Sequence, residues 1–303
     1  MVKESVYIII PVHNRKTITL KCLQNLEANE DLQRYYVIVV DDGSTDGTSQ
    51  AIKSLYPEII ILVGDGNLWW TGAIKEGMKY AYQKGAEYLI WLNDDCYPRQ
   101  NAISNLIEFC HNNPQSIVGG QCLDPDTNEP TYGGIINKNN QIQQVYCTEN
   151  RSLECDGLAG NLVCLPKTVI ENIGYPNNSL YPQYYGDVTY TKFGKKNGYK
   201  LIILGQAIAY NKNDHKILSW MTPDRPLINY WREPFNVKSP YYWKAEFNYY
   251  REMLGYLGIG VYFYERVIKL GLIFLLNLLL PITVRQQLKT VYRKYFKRQS
   301  NSV

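Results

Sequence analysis

Histidine is scarce in this chain. His13, His111 and His215 are the three in 303 residues, and they lie too far apart for a zinc cluster of the usual ligand spacing. The seven cysteines form no CxxC pair and no regular framework. With "MVKESVYIIIPV" running straight into a strand rather than a signal peptide, they read as reduced thiols of a cytoplasmic protein. No GxxxxGK[ST] loop is present to cradle phosphates. No GxGxxG follows the first strand either, since "GDGNLWWTG" comes late and lacks the spacing. The strongest apolar run, "LGLIFLLNLLLPI", has 13 residues, below the roughly 18 to 20 that span a bilayer. A basic body is also missing. Of the net charge of +4, six positive charges (Arg285, Lys289, Arg293, Lys294, Lys297, Arg298) follow Ile282 with no acid among them, which leaves −2 on the first 282 residues. That balance argues against a nucleic-acid-binding domain.

What is present suits a folded protein, at 45% hydrophobic and 20% charged residues. Tyrosine is abundant at 27 residues, which suits hydroxyl-rich ligands or is compositional drift. Over the first 120 residues short apolar runs alternate with helical patterns. "SVYIIIPV", "YYVIVV", "EIIILVG" and "EYLIWLN" read as strands. "KTITLKCLQNLEA", "STDGTSQAIKSLY", "TGAIKEGMKYAYQK" and "QNAISNLIEFCHNN" read as helices, the second opening with turn residues. This alternation implies βαβ units and a parallel sheet. After "SIVGGQCLD" the pattern changes. "TYGGIINKNNQIQQVYC" reads as a hairpin, and "DGLAGNLVCLPKTVIENIG" as a strand leading into a short helix with Pro166 near its start. "GDVTYTKFGKKNGYK" reads as a helix and "LIILGQAIAY" as a late strand. Beyond Pro281, the apolar residues Val284, Leu288, Val291, Tyr292, Tyr295 and Phe296 fall on one helical face opposite the six basic ones. Such a face suits an anionic membrane surface or docks on the protein body.

Two acidic pairs carry the chemistry. Asp41 and Asp42 end one expected strand, and Asp94 and Asp95 follow another. Strand ends in open α/β sheets form the ligand-binding rim. Buried carboxylates there need a lysine, an arginine, a metal or hydrogen-bond donors. With no phosphate loop, a divalent metal held by one or two carboxylates and a ligand's phosphates is the leading candidate, and helix capping is the plain alternative.

"IIIPVHNR", "VIVVDDGSTDGT", "GNLWWTGAIKEGMKYA", "WLNDD" and "YYGDVTYTKFGKKNGYK", in that order, resemble family 2 glycosyltransferases of GT-A fold over roughly residues 5 to 220. The nearest subgroup resembles bacterial rhamnosyltransferase-like enzymes of surface polysaccharide assembly. The resemblance implies an α/β, Rossmann-like, mostly parallel sheet flanked by helices, with a C-terminal helical tail. It implies a GT-A domain over 1–225, with a nucleotide-sugar half at 1–123 and an acceptor-side half at 124–225, and a helical region over 226–303. Pro11 and Val12 would border the nucleotide base, Asp42 would accept from its ring N–H, and Asp94 would sit by the ribose or donor sugar. Asp95 would ligate Mg2+ or Mn2+ on the diphosphate, while Asn93 replaces the first acid of the commonest motif. Asn14, Asp41, Asn67, Trp70, Gly72 and Asn93 complete the expected donor set; one of Trp69 and Trp70 is expected to be buried. Past the late strand His215 is a candidate metal ligand, with Asn211 nearer the usual spacing.

Asp187 is the expected general base. The acidic pair that opens its helix in the family is reduced here to Gly186–Asp187, and Thr189 stands where a further acid is common. The plain alternative has Asp187 capping a helix that begins at Val188. The implied activity is inverting transfer from a UDP-, dTDP- or GDP-sugar to a glycan or lipid-linked hydroxyl, at the cytoplasmic membrane face. A weak or inactive nucleotide- or glycan-binding homologue is the alternative. A nucleotidyltransferase would need more basic residues near the first strand than Arg15 and Lys16.

Overall fold

Alternate residues of a strand point to opposite faces, so an unbroken apolar run needs a cover on both. In β1 (Val6–Val12), Ile8, Ile10 and Val12 pack with Cys22, Leu23 and Leu26 of α1 (Lys16–Ala28). Its Ile9 joins Ile74, Met78 and Trp91 in a second cluster. The computed structural model describes residues 3–212 and 232–281, together with 283, 284 and 287.

The chain continues through α2 (Asp31–Arg34), β2 (Tyr36–Asp41), α3 (Thr48–Leu55), β3 (Ile60–Val63), α4 (Trp69–Gln83) and β4 (Tyr88–Leu92). Next come β5 (Tyr97–Pro98), α5 (Ala102–Asn112), β6 (Ser116–Leu123), β7 (Pro130–Tyr132), β8 (Gly134–Lys138) and β9 (Gln141–Val145). β10 (Ser152–Glu154), β11 (Gly157–Leu158), β12 (Leu162–Pro166), α6 (Thr168–Ile173), α7 (Gly186–Lys196) and β13 (Lys200–Tyr210) follow. The main sheet runs β10-β13-β6-β12-β4-β1-β2-β3, with β5 on β13 and β7 on β6. β3, β2, β1 and β4 are parallel neighbours, as the alternation predicts. β12 then enters antiparallel between β4 and β6, a reversal that its apolar sequence does not signal.

The expected hairpin is β8–β9, turned by Asn139 and Asn140 with φ of 52° and 60°. Two successive left-handed residues are what a tight hairpin turn requires, and asparagine tolerates them. With β11 it forms a small three-stranded sheet. Pro166 closes β12 instead of opening the following helix. All seven cysteines are free.

The chain divides into two compact units, residues 1–213 and 214–303. In the second, α8 (Trp243–Leu254), α9 (Tyr256–Phe263), a π-helical stretch (Tyr264–Lys269) and α10 (Leu270–Leu279) are described. The buried Glu246 carboxylate pairs with the Arg266 guanidinium inside this unit. Among the described residues no helix is long and apolar enough to cross a membrane. His215 and all six basic residues of the expected amphipathic tail lie outside the described residues.

Candidate active site

Parallel pairing puts the ends of β1, β2 and β4 on one rim: Val12 pairs with Asp41, and Ile9 with Trp91 just before Asn93. The loop after β2 is tied down from both sides. Asp41 is spent on that loop, accepting from Ser44 N (2.9 Å) and from the Ser49 hydroxyl. Asn14, left-handed at φ 51°, accepts from Thr45 N at 2.8 Å, and its own N–H donates to Ser44 Oγ at 2.8 Å. His13 donates from Nδ1 to the Asp42 carbonyl (2.6 Å) and accepts from Asn14 Nδ2 at Nε2 (3.0 Å).

Asp42 is buried, yet both its oxygens are satisfied. Oδ1 accepts from Gly66 N (2.8 Å) and Oδ2 from Trp69 N (2.9 Å). Each oxygen keeps a second lone pair for a ligand N–H. Pro11 is half-buried at the end of β1, and Val12 is buried beside it. Asn67 is exposed, its N–H held by Asp65 Oδ1 at 2.9 Å. Gly72 packs between Leu68 and Asn178 within the protein. Gly77 lets α4 lie on β1, where an added Cβ would come within 2.3 Å of Ile9.

Trp70 joins the two sides of the rim. Its Nε1 donates to Asn93 Oδ1 at 2.7 Å, and its ring meets the fully buried Trp91 edge-on at 5.7 Å. Its six-membered ring lies against Gly160, where a Cβ would fall 2.4 Å from the indole. The same Cβ would fall 3.0 Å from Asp187 Cβ, and Gly160 N donates to Asp187 Oδ2 at 2.7 Å. Asp42, Asn93 and Asp187 are therefore linked through Trp69, Trp70 and Gly160.

Asp187 sits inside the first turn of α7, which begins at Gly186 after a left-handed Tyr185 (φ 70°). The capping alternative is corrected by two positions: Tyr185, not Asp187, is the cap residue. Asp187 Oδ1 accepts from Val188 N at 2.8 Å. Burial pushes its pKa up, opposed by the Gly160 and Val188 N–H groups. Gly186 itself has no room for a side chain. A Cβ at Gly186 would lie 2.1 Å from the buried, unpartnered Thr71 hydroxyl.

At the end of β4 the two carboxylates meet a cation that the chain supplies. Arg15 Nε lies 3.1 Å from Asp94 Oδ2, and its Nη2 donates to Asp95 Oδ2 at 2.7 Å. Thr19 Oγ1 adds a bond to Asp94 Oδ2 at 3.0 Å. Asn211, just past β13, donates from Nδ2 to Asp95 Oδ1 at 3.0 Å and to the Asp95 carbonyl at 2.9 Å. Burial pushes Asp94 up to about 7 despite Arg15, with Asp95 reinforcing the rise. Burial also pushes Tyr132 up to about 12, with the charges of Asp95 and Asp187 adding to the rise.

These donors do not form a preformed metal site. Arg15 and Asn211 occupy both oxygens of Asp95, and among the described residues no group of three His, Cys, Asp or Glu could hold an ion. The sequence offers Arg15 only as one of two basic residues near the first strand, and it does not signal Tyr132 or Gly160. "PVHNR" did contain Arg15, but nothing in a linear motif pairs it with acids some 80 residues away.

A mostly parallel sheet flanked by helices, with antiparallel strands added in its second half, is the fold shared with solved GT-A glycosyltransferases. A mannosyltransferase, PcManGT, from Pyrobaculum calidifontis in complex with GDP-Man and Mn2+ has this fold. It is 13% identical, with a TM-score of 0.59 over 99% of this chain and 83% of its own. So does GalNAc-T7 with UDP, GalNAc and Mn2+, 14% identical, with a TM-score of 0.57 over 87% of this chain and 57% of its own. The family model described as glycosyl transferase family 2 matches residues 7–163, just over half the chain, and the protein belongs to that family. Curated relatives include glycosyltransferase AglE of Haloferax volcanii, 27% identical over 201 residues. The dTDP-rhamnosyl transferase RfbF of Shigella flexneri is 24% identical over 181 residues. The matches cover 65% and 59% of this chain, and 63% and 60% of those two proteins.

Proposed function

We propose that this protein is an inverting glycosyltransferase that moves a sugar from a nucleotide-diphospho-sugar to a hydroxyl of a glycan or lipid-linked acceptor. The observation that carries the reading is the continuity from Asp42 through Trp70 to Asp187, which supports one ligand reaching from base to reacting carbon. Asp42 accepts from the base. Asn93 and Asp94 border the ribose and sugar. Asp187 takes the proton of the acceptor hydroxyl as that oxygen attacks the anomeric carbon, on the face opposite the departing diphosphate. Each Asp187 oxygen accepts one backbone N–H, so lone pairs remain for the hydroxyl. Holding donor and acceptor in line supplies much of the rate enhancement.

A divalent ion, Mg2+ or Mn2+, is the expected companion of the diphosphate, as Mn2+ accompanies GDP-Man in the Pyrobaculum structure. The deciding experiment is release of nucleoside diphosphate over a panel of UDP-, dTDP- and GDP-sugars with acceptor, run on wild type and Asp187→Asn. Donor binding with neither transfer nor slow hydrolysis would favour the non-catalytic reading that Gly186 motivates.

We propose further that the enzyme works at the cytoplasmic membrane face. Leu257, Phe263, Val267, Leu272, Leu275, Leu278 and Leu279 expose apolar surface in the second unit, close in sequence to the six basic residues. Apolar area plus positive charge is the composition of an interfacial anchor. The full chain is expected to float with anionic liposomes and a chain lacking residues 283–303 to float less. Equal flotation would remove the tail from the proposal.

A further inference from the structure

The Asp94–Asp95 pair is compensated from within the fold. Arg15 spreads its guanidinium across both residues, 3.1 Å from one carboxylate and 2.7 Å from the other. The remaining Asp95 oxygen is steered by the buried Asn211. A divalent cation at Asp95 would therefore meet a resident positive charge within hydrogen-bond distance of its ligand. Like charges that close repel strongly in a partly desolvated site.

Arg15 stands at a helix start with its side chain partly open to solvent. It is the residue before α1, its side chain is 36% exposed, and its backbone (φ −134°) lies outside the helix. A guanidinium also fits carboxylate and phosphate equally well, through two parallel N–H bonds. Thr19, one turn into α1, also bonds Asp94, its hydroxyl shared with the Arg15 carbonyl.

We propose that Arg15 is a resident counter-ion competing with divalent cations for Asp94 and Asp95. Metal reaches the pair only by displacing the guanidinium, which makes the free protein a weak metal binder. The inference deepens the donor-site reading, in which an arriving diphosphate offers Arg15 a second anionic partner. Its test needs no donor and no turnover, so it can fail while transfer stands.

The probe is Mn2+ alone, its free concentration followed by electron paramagnetic resonance, on full-length wild type and Arg15→Gln without nucleotide. Removing an opposing charge this close is expected to tighten Mn2+ binding by about tenfold or more. Arg15→Lys, which keeps the charge but loses the fork, is expected to fall between the two. A folded Arg15→Gln protein that binds Mn2+ no better than wild type overturns the proposal. Wild type gives an answer that no folding defect can obscure. In a 15N spectrum of arginine side chains, the Arg15 Nε–H signal is expected to shift as Mg2+ saturates the protein. Saturation with that signal unmoved also overturns the proposal.

Discussion

Replacing Asp187 with asparagine is expected to lower transfer by about 10²–10⁴, the usual contribution of a positioned general base, while donor binding persists. Asparagine keeps the shape and can still accept one N–H through its amide oxygen. The carboxylate accepts two, from Gly160 N and Val188 N. The substitution thus forfeits one bond, with a stability loss of about 1 kcal/mol. A small drop in melting temperature with a large drop in rate separates a chemical role from a structural one. The pH profile separates them again. Burial raises the Asp187 pKa, so the group is protonated and inactive below that value, and the wild-type rate should climb as pH rises through it. This limb should be missing from the Asp187→Asn profile. If the variant retains wild-type turnover, the base lies elsewhere.

Gly160→Ala is expected to damage both stability and turnover. The new methyl would fall 2.4 and 2.6 Å from two atoms of the Trp70 ring and 3.0 Å from Asp187 Cβ. The indole has little room to retreat, because Nε1 is fixed on Asn93 and Trp91 closes its other side. Forcing a methyl into such a packed place costs about 1–3 kcal/mol. Pushing the ring or Asp187 aside by about 1 Å would cost on the order of 10² in rate. Calorimetry and donor turnover on one preparation read both effects. A variant with wild-type melting and wild-type turnover would show that Trp70 and Asp187 do not need their observed contact.

The parallel half of the fold was legible because its signals are local. Ile8, Ile9 and Ile10 form a run that only a doubly covered strand accommodates, and the helices between strands carry helical spacing. The antiparallel entry of Leu162–Pro166 was not legible, because an apolar run carries no direction. The same division holds in the site. Asp42, Asp94, Asp95 and Asp187 stand out as acids at strand ends and a helix start. Their supports come from distant chain: Arg15 reaches Asp95 from 80 residues away, and Asn211 reaches it from 116. Gly160 carries no side chain to announce itself; its role is to leave space. Gly186 reads as a lost acid until Thr71 is seen to occupy the place where its side chain would stand.

A structure of the protein crystallised with a nucleoside diphosphate tests the account most directly. The base is expected against Asp42 and Pro11, the diphosphate beside Asp94 and Asp95, and the open end of the site facing Asp187 across Trp70. Nucleotide bound on another surface, or a bound pose from which Asp187 is walled off, would contradict it.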